Sequence, residues 1–108
     1  MQQLPFQTAP AFTEEVTLDG VPFRLAFAWN TRAAHWTMHF RDLDSNSLVE
    51  GIRIVPDYEL IRQFPGRGLP PGEVFFTDPR GQLKVIGRDD VPTNVEPVYV
   101  LEAEVDAL

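Results

Sequence analysis

The sequence predicts an all-β fold, a single small antiparallel barrel or sandwich of about seven or eight short strands with at most one short helix near 57–64. Three observations carry this expectation. Residues 12–41 alternate apolar and polar side chains with a period of two, the period of a half-buried strand. Ten prolines and seven glycines in 108 residues keep every element short and rule out long helices and coiled coils. No internal repeat, low-complexity segment or long linker divides the chain, so residues 1–108 form one domain.

The elements follow in order. Phe12, Glu14, Val16 and Leu18 alternate with Thr13, Glu15 and Thr17, and the run stops at Asp19-Gly20, a dipeptide suited to the positive φ of a tight hairpin turn. Phe23, Leu25, Phe27 and Trp29 then face one way and Arg24, Ala26 and Ala28 the other. After a short connection, Asn30 to Ala33, the alternation resumes with Ala34, Trp36, Met38 and Phe40 against His35, Thr37, His39 and Arg41. These two strands should close as a hairpin whose apolar face carries both tryptophans.

The polar run Asp42 to Ser47 reads as a turn into a fourth strand, Leu48 to Val55, stopped by Pro56. Asp57 is placed to cap one or two helical turns ending at Phe64. Pro65 to Gly72 is too rich in proline and glycine for regular structure and reads as a loop, stiffened at Pro70-Pro71. Strands resume at Glu73 to Thr77 and Gln82 to Ile86 around the turn Asp78-Pro79-Arg80-Gly81, and a last strand is expected over about Pro97 to Glu104 after a second loop.

Composition excludes several functions. With no cysteine, disulfides, thiol catalysis and thiolate metal sites are removed. No apolar run approaches the roughly 20 residues of a membrane span, and Met1 to Pro10 lacks a basic head before an apolar stretch, so neither membrane insertion nor a secretory signal is expected. The net charge is −7, and the acid excess is local: residues 1–88 hold nine bases and ten acids, residues 89–108 six acids and no base. A chain of this balance with one lysine, Lys84, is a poor match for a phosphate backbone, so nucleic acid is not an expected partner.

The clusters that could carry chemistry fall short of it. His35 and His39 share a strand face and could present two imidazoles to a metal, but no third ligand is evident. Asp42, Asp44 and Asn46 copy the first ligand positions of a calcium loop, yet Ser47 stands where the sharp-turn glycine belongs and Arg53 where the bidentate glutamate belongs. Backbone-capping turn residues explain them better. Glu14-Glu15 point to opposite faces of a strand, and Asp89-Asp90 have no serine, histidine or lysine beside them. No catalytic, cofactor-binding or metal-binding residue is assigned. Arg32 is placed either to pair with Asp42 or Asp44 or to stand solvated at a hairpin end.

The order of motifs resembles the baseplate plug family of contractile-tailed phages and prophages. It rests on Leu18-Asp19-Gly20, Phe27-Ala28-Trp29-Asn30-Thr31-Arg32 with Trp36, Asp42-Leu43-Asp44, Gly51, and Leu69 to Asp78, and spans roughly residues 10 to 100. The turn after Asp44 departs from the pattern with Ser45-Asn46-Ser47 in place of a simple Asp-Gly. The resemblance implies a non-enzymatic virion protein of the tail baseplate, made and assembled in the host cytoplasm, without cofactors. It would sit at the centre of the tail tip, pack against hub and spike, with the tail tube or tape-measure protein as further neighbours, and help close the tube before contraction. It also makes Trp29, Asn30, Arg32 and Trp36 structural residues of the central hairpin, and Leu69, Pro70, Pro71 and Gly72 an exposed contact loop. Copy number stays open, because a homo-oligomeric ring and a monomer that assembles on its hub share one composition. The alternative reading is a small carbohydrate- or ligand-binding β module, which requires exposed tryptophans where the plug requires buried ones.

Overall fold

The long alternating stretch folds into a meander. In a computed structural model that describes residues 2–81, 86–91 and 93–105, the strands are β1 (Gln2–Gln3), β2 (Ala11–Leu18), β3 (Val21–Asn30), β4 (His35–Arg41), β5 (Ser47–Arg53), β6 (Glu73–Thr77) and β7 (Glu96–Val100), followed by a one-turn helix, α1 (Glu102–Val105). β2, β3, β4 and β5 form one antiparallel sheet in chain order, and β1, β7 and β6 form a second. Asp19 and Gly20 both have positive φ, 51° and 80°, the backbone of a two-residue turn whose twist matches its strands. That turn fixes the β2–β3 register, Leu18 opposite Val21, and so carries Phe12 opposite Phe27.

The register of β3 on β4 sets Leu25 against Phe40, Phe27 against Met38 and Trp29 against Trp36. One face of the four-stranded sheet is therefore a continuous apolar surface. Against it lie Val74, Phe76 and Tyr99 of the second sheet, with Phe6 wedged between Phe12, Phe27, Trp36 and Phe76 at ring-centroid distances of 4.8–6.0 Å. The two sheets do not close on one another: the architecture is a sandwich, and the barrel is set aside. β5 breaks register with β4 twice, and Gly51, at φ 74°, sits in this irregular stretch. Beyond it the chain crosses to the second sheet, where Pro56 bridges Phe76.

Two expectations are corrected, and one strand is added. The helical turns near 57–64 do not form, because Asp57 has φ 56°, which no N-cap adopts, and the segment's amides are taken by other partners. Asp57 N–H donates to Phe76 O at 3.0 Å, Leu60 N–H to Val74 O at 3.3 Å, and Ile61 and Arg62 N–H to the Glu73 carboxylate at 2.8 and 3.0 Å. One turn-like bond, Phe64 N–H to Ile61 O, remains. The last strand ends at Val100, since Glu102 to Val105 turn into α1, with Leu101 N–H capped by Glu104 Oε1 at 3.2 Å. β1 was not anticipated: two glutamines carry no alternation, and their order comes from pairing with Val98 and Tyr99. The strand expected over Gln82 to Ile86 lies, except for Ile86, outside the described residues.

Candidate functional site

The residues singled out in the sequence fall into two groups at different places. In the hairpin, Trp36 is fully buried. Its indole N–H donates to Gly87 O at 3.3 Å, and the Arg88 guanidinium stands 5.3 Å from its ring centroid while donating to Thr8 O at 2.6 Å. Trp29 is half-buried and packs edge-on against Trp36 at 5.6 Å. Trp36 offers no open stacking face of the kind a sugar platform needs, and Trp29 is partly covered. Asn30 holds the turn, since its Oδ1 accepts from Ala33 N–H at 3.0 Å and its carbonyl from Ala34 N–H at 2.7 Å.

Arg32 is exposed at the tip of this turn. Asp42 and Asp44 lie beyond the other end of β4, so the ion pair considered for Arg32 is not formed. Asp42 instead accepts from Asn46 N–H and Asp44 N–H, both at 2.9 Å, and these bonds hold its carboxyl below the usual range. It is a turn cap, as its spacing suggested.

The polar face of the four-stranded sheet is laced by ion pairs. Arg24 pairs with Glu15 at 3.2 Å and Arg41 with Glu50 at 3.0 Å, and Glu50 Oε2 lies 2.7 Å from His39 Nδ1. The Arg41 bond lowers the Glu50 carboxyl. His39 Nδ1 also lies 2.9 Å from Gly51 N–H, so the imidazole supports the β5 irregularity. His35 lies 3.3 Å from the carbonyl of Trp36. Among the described residues no cluster of three or more His, Asp or Glu is placed to hold a metal ion. Glu14 points inward with Oε2 buried and unpartnered, and burial raises its carboxyl.

The second group lies beside β6, where Asp57 and Leu60 N–H bond to the Phe76 and Val74 carbonyls along the edge of the sheet, with Leu60 and Ile61 in the core. A groove of about 320 Å³ opens there between Phe64, Leu69, Pro70 and Phe75, rimmed by Arg62 and Arg67. Glu73, 3% exposed, organises it by accepting from the amides of Ile61, Arg62 and Val74, and its burial nonetheless raises its carboxyl. The exposed contact loop expected over Leu69 to Gly72 is in fact partly built in: Pro71 is exposed, Leu69 half-buried, Pro70 buried. Leu69 packs against the core, and Gly72 is anchored through its amide.

That anchor is a clasp the sequence reading missed. Gly72 N–H donates to the Tyr99 hydroxyl at 2.7 Å, the hydroxyl donates to Asp19 Oδ2 at 2.5 Å, and the same Oδ2 accepts from Glu102 N–H at 3.1 Å. It ties the β2–β3 tip of one sheet to the start of β6 and the end of β7 in the other. Burial, reinforced by the hydrogen bond to Asp19, pushes the Tyr99 hydroxyl well above the ordinary phenol range, so it stays a donor. The sole signal for it in the sequence was a tyrosine inside an otherwise aliphatic strand, a residue that needs a partner when buried.

No curated protein matches this chain. The family described as cyanophage baseplate Pam3 plug gp18 matches residues 1–102, which takes in both sheets and the groove beside β6. With nearly the whole chain matched, this protein belongs to the phage baseplate plug family, a structural component of the contractile tail.

Proposed function

We propose that this protein is a non-enzymatic virion component at the centre of the tail tip, where it packs against hub and spike and helps close the tube before contraction. The family match over residues 1–102 carries the reading. The fold supports it through preformed surfaces: a sandwich with a clasped end presents contacts at little ordering cost. Trp29 and Trp36 act from inside, fixing the hairpin whose Asn30-capped turn presents Arg32. Pro71, at the crest of the loop from Leu69 to Gly72, is the contact offered at the other site. The net charge of −7 favours passage of a DNA duplex over its capture. The tail tube or tape-measure protein and further copies of the chain complete the list of neighbours, with assembly in the host cytoplasm.

An epitope tag on the chain in an infecting phage, followed by gold labelling and mass spectrometry of purified tails, tests this. The expected result is label on the tail axis at the baseplate and co-purification with hub and spike. Particles that lack the protein, or label on the sheath or head, would overturn it.

A further inference from the structure

β5 is an edge strand of the four-stranded sheet, and its break in register is built around a histidine. Met38 pairs with Ile52 and Phe40 with Val49, so between these pairs a single β4 residue, His39, stands opposite two β5 residues, Glu50 and Gly51. This is the two-against-one count of a β-bulge, and Gly51 supplies the positive φ, 74°, of its glycine form. A bulge leaves backbone groups without a partner across the ladder, and here His39 answers for one of them: Gly51 N–H lies 2.9 Å from its Nδ1. The other bulge residue reaches the same atom, with Glu50 Oε2 2.7 Å from Nδ1.

One ring nitrogen cannot serve both. Without a proton, Nδ1 has a single lone pair, which accepts from Gly51 N–H while the ring keeps its proton on Nε2. With a proton, Nδ1 donates to Glu50, and Gly51 N–H then faces a second donor and loses its acceptor. The choice is made by proton uptake, and histidine is the side chain that changes charge between about pH 5 and 8. The surrounding charges leave that choice to His39. Ala26 of β3 and Thr13 of β2 continue its row across the sheet, so neither strand sets a charge directly beside the ring. In the next row on one side, Arg41 is bound to Glu50 at 3.0 Å and Arg24 to Glu15 at 3.2 Å; on the other side stand Arg53, paired in register with Thr37, and beyond it His35. The Arg41 bond lowers the Glu50 carboxyl, so Glu50 stays ionised through the histidine range.

We propose that the β5 bulge is a proton-operated switch: neutral His39 holds Gly51 N–H and pins the bulge, and protonated His39 turns to Glu50 and releases it. The His39 side chain is 23% exposed, so solvent supplies and removes the proton. The released amide belongs to an edge strand, so acidification loosens β5 while β2 and β3 keep their register. This inference rests on the geometry of the sheet, not on the baseplate reading, and is tested on purified protein without phage.

The 15N,13C-labelled full chain is followed by NMR from about pH 8 to 5. At the upper end the imidazole should carry its one proton on Nε2. Acidification should protonate Nδ1, move the Gly51 amide proton upfield and shift the Glu50 carboxyl carbon, although that carboxyl does not itself titrate there. The protection of the Gly51 amide, corrected for intrinsic exchange, should fall roughly fivefold, the worth of one hydrogen bond. His39→Asn, whose Oδ1 can accept from Gly51 N–H and takes up no proton, should keep Gly51 protected and abolish all these responses, with unchanged β2 and β3 amide shifts as the check on folding. In Glu50→Gln the Gly51 response should move to lower pH, because the protonated ring loses its carboxylate. A proton on Nδ1 at every pH, a Gly51 amide indifferent to pH, a response that survives His39→Asn, or one unmoved by Glu50→Gln would each overturn the proposal.

Discussion

Replacing Gly72 with alanine tests the clasp where it cannot adapt. A Cβ at this position would overlap the carbonyl oxygen of Val100 and stand 2.5 Å from both Cζ and the hydroxyl oxygen of Tyr99. Carbon–oxygen contacts settle at about 3.3 Å or more, so both neighbours must withdraw by roughly an ångström. Neither is a flexible end: Val100 pairs with Glu73 at the start of the β6–β7 ladder, and Tyr99 is buried and held by Asp19. Overpacking of this kind costs about 1–3 kcal/mol. Loss of the Gly72–Tyr99 hydrogen bond adds about 1 kcal/mol, for a total of about 2–4 kcal/mol. A domain near this size loses about 4–8 °C of Tm per kcal/mol, so Tm should fall by roughly 10–30 °C. Urea unfolding followed by the emission of buried Trp36 measures it, with the m value unchanged. A loss below about 0.5 kcal/mol, with the hydroxyl proton of Tyr99 still protected in NMR spectra, would refute the reasoning.

Tyr99→Phe removes the hydroxyl but fills the same space, and should cost about 1–3 kcal/mol because Gly72 N–H loses its acceptor and Asp19 one of its two donors. Thermal unfolding reads this, and Asp19→Ala should add little in the Tyr99→Phe background if the two act as one unit. Leu60→Ala should cost about 2–5 kcal/mol, since this side chain from an apparent loop is fully buried, whereas Arg32→Ala at an exposed turn should stay within about 0.5 kcal/mol; the pair is compared by urea midpoints. The pH dependence separates two classes of acid. Asp42 and Glu50, lowered in the fold, contribute stability that is present above the usual carboxylate range and lost as pH falls through it. Glu73, raised in the fold, binds its proton more tightly when native, so its contribution is present below that range and lost as pH rises through its folded value. Glu73→Gln should therefore make the slope of unfolding free energy against pH more positive just above the usual carboxylate range, whatever the offset in absolute stability. An unchanged slope in urea titrations across that window would contradict the assignment.

What was legible in the sequence and what was not divide along the source of order. β2, β3 and β4 were readable because their cause is local: period-two alternation selects the buried face, and Asp19-Gly20 supplies a turn that sets the register. The same logic put Trp36 and Phe40 inside and His39 outside, and identified Asp42 as a turn cap. Residues 57–64 were misread as helical because the pattern of Leu60, Ile61 and Phe64 is compatible with a helix, while the groups that claim their amides, Phe76, Val74 and the Glu73 carboxylate, lie many residues downstream. Leu69 to Gly72 read as exposed because proline and glycine mark loops, although Leu69 packs against the core.

Glu73 and Tyr99 show why the parts that make the surface were the hardest to see. Each is a polar side chain in a strand position that the apolar pattern would give to a hydrophobe, and each is buried with hydrogen bonds to other segments, Glu73 to the amides of Ile61 and Arg62 and Tyr99 to the Gly72 amide and the Asp19 carboxylate. A polar group in such a place is costly unless its partners are all present, so it fixes one arrangement of the loop beside β6 and one approach of the two sheets. For a protein that works by contact, this is the useful property: the groove and the hairpin turn are held in place by these bonds before any partner arrives, so binding need not supply the ordering energy. The same dependence makes the groove fragile. A change at Glu73 or Gly72 should loosen the loop that carries Arg67 and Pro71 while β2, β3 and β4, whose order is local, keep their register.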